Sequence, residues 1–413
     1  MTGAGPGGRP SSTFARLWSG LEPLGRDPQT GGYRRFSWTP ADTACRAWFT
    51  GQAERRGLAV ETDNNGNLWA WWGPKKPGAI VTGSHLDSVP DGGAFDGPLG
   101  VVSALAAVDL LKDRSFSPER SVVLAALTEE EGARFGVPCL GSRLLTGAVD
   151  PNAARVLTDD AGTTLADAMV AAGHDPGFLG PRDDLLGGIA AFVELHVEQG
   201  RALAPQGAVL GLAEGIWPHG RWRFEFGGRA DHAGTARLTD RRDPMLPYAA
   251  TALAARQAAE QNAAVATFGK VIVEPNGTNA VPSVVRAWLD ARAPEEATVA
   301  DTFNAVRSAA ESFCEQHGVT LSVRQESFTP LVRFDAALRD RIAGTLAAAG
   351  FSAPVLPTGA GHDAGVLAAR VPTAMLFVRN PTGISHSPAE HADLADCEAG
   401  VRALAAVLED LAG

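Results

Sequence analysis

The chain has 413 residues, 45% of them hydrophobic and 20% charged, which excludes a disordered or fibrous chain and a small disulfide-stapled scaffold; at ~150 residues per domain, two or three domains are expected. Lys plus Arg total 36 against 47 Asp plus Glu, a net charge of −11. That balance disfavours a nucleic acid or an anionic membrane as partner, while leaving room for a local positive pocket that takes a small anion.

Met1 to Ser12 are rich in Gly and Pro and hold no apolar stretch of signal-peptide length, and no later run approaches ~18 apolar residues. Cys45, Cys139, Cys314 and Cys397 lie far apart with no metal-ligand spacing, so they read as reduced structural thiols. A cytoplasmic protein with a frayed amino end is expected. Ala79 to Thr82 is a short apolar run leading to His85, and Val122 to Leu127 leads to Glu129, Glu130 and Glu131. Ala190 to Leu195 leads to His196, and Ala374 to Val378 precedes His386. Each has the length and composition of a strand buried on both faces. Between the first two runs, Val101, Leu105, Val108 and Leu111 recur at helical spacing within Gly100 to Leu111. Strand, helix, strand predicts an α/β fold with a doubly wound, mostly parallel sheet and a site beyond the strand carboxyl ends.

From about Arg221 to Gln325 the pattern changes. Trp222, Phe224 and Phe226 alternate with polar residues, Pro244 to Asn262 is an Ala-rich helix, and Ala264 to Val273 and Val284 to Asp290 read as strands. A helix over Glu295 to Gln316 and a strand over Thr320 to Arg324 complete a βαββαβ order, which predicts an inserted ferredoxin-like α+β domain. The expected layout is 13–212 and 328–413 for the sheet domain and 213–327 for the insert.

His85-Leu86-Asp87, the segment Gly92 to Gly97 with Asp96, Glu130-Glu131, His196 and His386 carry the chemistry. Imidazole nitrogens and carboxylate oxygens bind divalent zinc or manganese, and one carboxylate can bridge two ions. A single histidine of this kind is more often a core or surface residue than a ligand. Most of these residues, however, arrive just past a buried strand, and together they could assemble a two-metal site.

The segments GSHLDSVPDGGAFDGPLGV, LTEEEGARFG, ELHVEQG, ADHAGT, GAGHDA and GISHSPAEH resemble, in the family order, the motifs of the peptidase M20-type amidohydrolases. The resemblance is to the branch containing N-carbamoyl-L-amino-acid hydrolase, β-ureidopropionase and allantoate amidohydrolase, and it runs from about Leu17 onward. It implies metal ligands His85, Asp96, Glu131, His196 and His386, with Asp96 bridging two divalent ions and Asp87 orienting the His85 ring. The family's Glu pair stands before Gly132-Ala133-Arg134-Phe135, so Glu130 becomes the general base, Glu131 the ligand and Glu129 a solvated carboxylate. His232 and Asn279 would serve the substrate and its developing oxyanion, His232 from a partner subunit. Arg292 would anchor a substrate carboxylate, where a strand-end Asp-Ala-Arg is otherwise a structural salt bridge. Gln199 and the backbone at Gly361 match substrate-touching positions.

His362 could brace a loop and His391 could be a surface residue at a helix start; His174, His219 and His317 carry no motif of their own. The segment Trp217 to Trp222 is unusual. After Gly234-Thr235 the chain reads Ala236-Arg237-Leu238, where the family commonly has Thr-Pro-Met. The resemblance implies a homodimer whose inserted domain is lid and dimerisation surface, cleaving a linear carbon–nitrogen bond of a small ureido or N-acyl carboxylic acid. Allantoate is the leading substrate, with an N-carbamoyl-L-amino acid, a β-ureido acid or an N-formyl amino acid as alternatives. A dinuclear aminoacylase or peptidase, disfavoured by Asn279, Arg292 and the Glu198-Gln199 step, and a non-catalytic binding protein lie outside that class.

Overall fold

The computed structural model describes residues 12–413. The expected fraying of the amino end therefore falls outside the described residues, except for Ser12, whose side chain accepts from Ala15 N and caps the helix Thr13–Leu21. Two compact units are present: residues up to Glu214 together with Arg333–Gly413, and Gly215–Val332.

In the first unit, the strands Ala79–His85, Val122–Leu127, Ile189–Val197 and Thr373–Val378 are buried along almost their whole length. Alternate residues explain this. Ile80, Leu124, Val193, Leu195 and Leu376 enter the core that holds the helices Pro98–Asp113 and Leu394–Ala412, while Val81, Val123, Phe192, Met375 and Phe377 point the other way and are equally buried. A sheet covered on both faces needs such continuous apolar runs.

The sheet has nine strands and is mixed rather than mostly parallel. Parallel pairing joins those four central strands, in the order Val122–Leu127, Ala79–His85, Ile189–Val197, Thr373–Val378. Outside them, Ala59–Thr62 and Leu68–Trp72 form an antiparallel hairpin on one flank and Leu210–Ile216 runs antiparallel to Thr373–Val378 on the other. The hairpin follows from its tight turn: Asp63 Oδ1 accepts from Asn65 N and Asn67 N, reversing the chain within five residues.

In the second unit, the strands His219–Gly227, Val265–Glu274, Val284–Arg292 and Thr320–Thr329 form one antiparallel sheet in the spatial order fourth, first, third, second. The helices Met245–Gln261 and Glu296–His317 cover one face, where Trp222, Phe224, Phe226, Val285 and Leu289 meet Ala255, Val299, Val306 and Cys314. The opposite face carries His219, Arg221, Asp290 and Arg292, all half-buried. No helix among the described residues is long and apolar enough to cross a membrane.

Candidate metal centre

His85 ends one central strand and His196 is the last residue but one of its parallel neighbour. Parallel strands release both rings at the same sheet edge, where they stack with centroids 5.9 Å apart. Each Nδ1 faces a carbonyl oxygen, Asp87 O at 3.2 Å and Val197 O at 2.9 Å. A carbonyl only accepts, so each Nδ1 carries the proton and each Nε2 keeps its lone pair. Both Nε2 atoms are sealed from solvent without a hydrogen bond. They aim at one carboxylate, with Asp96 Oδ1 3.6 Å from His85 Nε2 and 3.2 Å from His196 Nε2.

The second oxygen of Asp96 faces another set. Oδ2 lies 3.3 Å from His386 Nε2, which is 3.5 Å from Glu131 Oε2. Asp96 therefore belongs to two donor groups, His85–Asp96–His196 and Asp96–Glu131–His386, whose ligand atoms lie within 4.8 Å of one another. Asp87 ties them together: its carboxylate accepts from Glu130 N at 3.2 Å and Glu131 N at 3.0 Å and stands 3.5 Å from His85 Nδ1. Buried lone pairs left unpaired are costly, and nitrogen and carboxylate donors are those of divalent transition metals, so the residues present fit metal cations.

The electrostatics agree. Burial drives the Glu130 carboxyl well above its ordinary pKa, opposed by His85 and reinforced by Glu131. Glu131 is pushed up to about 8 by burial and Asp96. Burial works against the charged forms of Asp96 and His85, yet their neighbours win: His196, His386 and His85 hold Asp96 well below its usual range, and Glu130, Asp87 and Asp96 lift His85 well above. His386 rises to about 9 through its pairing with Asp96. Crowded acids and rings of this kind are what a multivalent cation relieves.

Glu130 sits at the edge of the cluster, Oε2 3.7 Å from His85 Nε2, and its Oε1 accepts from the Cys139 thiol at 3.4 Å. Cys139 N also donates to Glu130 O at 2.6 Å. Spacing marks Cys139 only as a structural thiol and gives Glu390 no role. Glu390 Oε2 accepts from Phe95 N and Asp96 N, and its Oε1 accepts from Ser385 Oγ; its place inside the GISHSPAEH segment was the available signal. Gly97 has φ +83°, and a Cβ there would lie 2.4 Å from the His85 ring. Gly97→Ala is expected to cost about 1–3 kcal/mol in overpacking and to displace the ring, read as a lower melting temperature together with weaker metal retention.

Glu129 is a correction. It is 1% exposed rather than solvated, because its Oε1 accepts from Arg134 N and Phe135 N and φ of +55° turns its side chain inward under the following loop. Gln199 Nε2 donates to Asp96 Oδ2 at 2.9 Å, so its amide faces the cluster. His362 is buried with its ring 4.5 Å from that of His196, and Gly361 beside it is exposed. Glu194, His196 and His362 form a third close group, but the Glu194 oxygens accept from Ser84 Oγ and Ala364 N, which makes this set a brace behind His196. His391 is exposed and pairs with Asp393. His174 packs edge-on to Trp38, and His317 ends a helix.

In the second unit, the ribbon pairing of Asp231–His232 with Ala280–Val281 brings His232 beside Asn279, whose carbonyl accepts from Ala233 N. His232 Nδ1 accepts from Gly234 N and Thr235 N, so in the neutral ring Nε2 carries the proton and is a donor. Arg292 pairs with Asp290 through Nε at 2.7 Å and Nη2 at 3.1 Å. This is the salt bridge that a strand-end Asp-Ala-Arg makes in its structural role.

Residues 81–410 match the model of peptidase family M20/M25/M40. The chain is 34% identical over 398 residues to an N-carbamoyl-L-amino acid amidohydrolase of Geobacillus stearothermophilus, covering 94% of this chain and 96% of the relative. It is 33% identical over 400 residues to an allantoate amidohydrolase of Escherichia coli K12, covering 95% and 96%. A crystal structure of an amidase of the hydantoinase/carbamoylase family from Burkholderia vietnamiensis superposes with a TM-score of 0.89 at 30% identity, covering 97% of each chain. A histidine and carboxylate centre at the sheet edge, in a chain that matches these proteins over nearly its full length, belongs to an amidohydrolase of carbon–nitrogen bonds, a member of peptidase family M20/M25/M40.

Proposed function

We propose that the chain hydrolyses allantoate, using two divalent ions, zinc or manganese, one in each donor set that shares Asp96. The observation carrying the two-ion hydrolytic chemistry is the division of Asp96 between the two sets, with Glu130 at their edge. His85, Asp96 and His196 would hold one ion and Asp96, Glu131 and His386 the other, with Asp87 fixing the His85 tautomer. Bound ions supply Lewis-acid polarisation and make water more acidic near neutral pH.

The chain's own groups do the rest. Glu130 Oε2 accepts the proton of the attacking water as the carbon–oxygen bond forms, and gives it to the leaving nitrogen as the carbon–nitrogen bond breaks. The Cys139 thiol on Oε1 keeps the carboxylate turned for both transfers. His232 Nε2–H and Asn279 donate to the oxygen on which negative charge grows, Arg292 binds the substrate carboxylate, and Gln199 and Gly361 contact the rest of the substrate.

The second unit serves in this reading as a ferredoxin-like lid and as the surface of a homodimer. Arg292 lies at one end of the strand Val284–Arg292, and the His232 ribbon follows from the other end. At ~3.3 Å per residue the strand spans about 26 Å, longer than any such substrate, which supports a site completed by two copies. Mixing inactive His232→Ala and Glu130→Gln proteins is then expected to restore activity toward one quarter of wild type, checked by turnover after subunit exchange; no recovery would rule out sharing. Four buried free thiols support a reducing, cytoplasmic setting.

The substrate reading is tested with manganese- or zinc-loaded protein and a panel of allantoate, N-carbamoyl and N-formyl amino acids and a carboxylate-free amide analogue. Ammonia from allantoate at the highest kcat/KM, with the analogue rejected, is the expected outcome. Faster turnover of N-carbamoyl amino acids would move the assignment to that activity.

A further inference from the structure

His219 and Arg292 are directly opposed on adjacent antiparallel strands, and so are Arg221 and Asp290, with all four on the sheet face away from the helices. Opposed residues of this kind have Cβ atoms about 4.5–5.5 Å apart. Asp290 is shared by two guanidiniums, Arg292 at 2.7 Å and Arg221 at 3.0 Å, so the trio keeps a net positive charge and the Arg292 plane is held in place.

The ring beside it is equally defined. His219 Nδ1 lies 3.2 Å from Trp217 O; a carbonyl only accepts, so Nδ1 is the protonated nitrogen. Burial and the adjacent Arg292 charge lower the imidazole pKa, which keeps the ring neutral and leaves Nε2 as an acceptor. Nε2 makes no hydrogen bond with any described residue. A fixed cationic donor and a fixed neutral acceptor thus stand side by side on one strand pair, suited to different parts of one ligand.

We propose that His219 sets substrate choice: its Nε2 accepts from an N–H carried on the carbon next to the carboxylate that Arg292 binds. The inference rests on the reading of Arg292 as carboxylate anchor and narrows the substrate class to carboxylates with a second, uncleaved ureido or amide arm. A compound with a methyl or other apolar arm there takes the acceptor out of water and gives it no donor, and a site that hydrogen-bonds one arm rejects the analogue lacking it. This accounts for the unusual Trp217 to Trp222 segment, in which Trp217 O lies against the Nδ1 side of the ring.

The test compares kcat/KM for allantoate and N-carbamoylalanine, each also measured as a competitor of the other, on manganese-loaded wild type, His219→Leu and His219→Gln. The ratio of allantoate to N-carbamoylalanine is expected to fall about 3- to 10-fold in His219→Leu, the size of one neutral hydrogen bond, chiefly through KM, and to recover in His219→Gln, whose amide oxygen accepts. A ratio unmoved by His219→Leu overturns the proposal and leaves the amidohydrolase reading intact. If His219→Leu does not fold, wild type alone decides: replacing the uncleaved ureido arm by an apolar arm of similar size must weaken competition at least 3-fold, and equal competition overturns the proposal. If wild type neither turns over nor binds either compound, the Arg292 reading fails and this inference with it.

Discussion

Glu130→Gln is expected to lower kcat by about 10²- to 10⁴-fold while leaving metal content and KM close to wild type. The carboxamide has the same shape and can still accept from the Cys139 thiol on its oxygen, so the side chain keeps its place. It cannot hold a proton between water and leaving nitrogen, and that transfer is the step removed. Glu130 is buried among Glu131, Asp363 and Asp87, which together with burial raise its pKa; a neutral amide relieves this crowding, so the variant is expected to be at least as stable as wild type. Elemental analysis and thermal melting beside the turnover measurement separate the roles: two ions per subunit with activity gone identifies the base, whereas unchanged turnover removes Glu130 from the chemistry.

The residues that were legible in the sequence are those whose position follows from a local pattern. Ala79–His85 and Val122–Leu127 are apolar because both of their faces are buried, and the polar residue that ends such a run must emerge at the sheet edge. The alternation of Trp222, Phe224 and Phe226 marks a sheet with one covered face, and the structure places all three against helices. Glu129 failed the same logic. It follows a buried strand as Glu130 does, but its positive φ turns it beneath the loop, and conformations of that kind leave no periodicity to read. Glu390 and Cys139 were missed for a related reason. Glu390 meets backbone N–H groups some 295 positions away, and Cys139 reaches Glu130 through a loop and a left-handed backbone turn. The antiparallel flank strands were also unread, since the hairpin over Ala59–Trp72 is set by the hydrogen bonds of Asp63 in its turn rather than by a long apolar run.

Asp96→Ala is expected to abolish retention of both ions and reduce turnover to background, whereas His386→Ala is expected to lose one ion and keep the other. The difference follows from how the oxygens are divided. Oδ1 serves the His85 and His196 side and Oδ2 the Glu131 and His386 side, so truncating Asp96 leaves each set with two donors. His386→Ala leaves His85, Asp96 and His196 as an intact buried trio. Glu390 would still hold the Phe95 and Asp96 backbone in the Ala variant through N–H groups that the substitution does not touch, so a collapsed loop is not the expected cause of metal loss. Mass spectrometry under non-denaturing conditions reads the stoichiometry directly. One ion retained in Asp96→Ala would show that the two sets bind independently and that no shared carboxylate joins them; none retained, against one in His386→Ala, is the pattern that a bridging Asp96 requires.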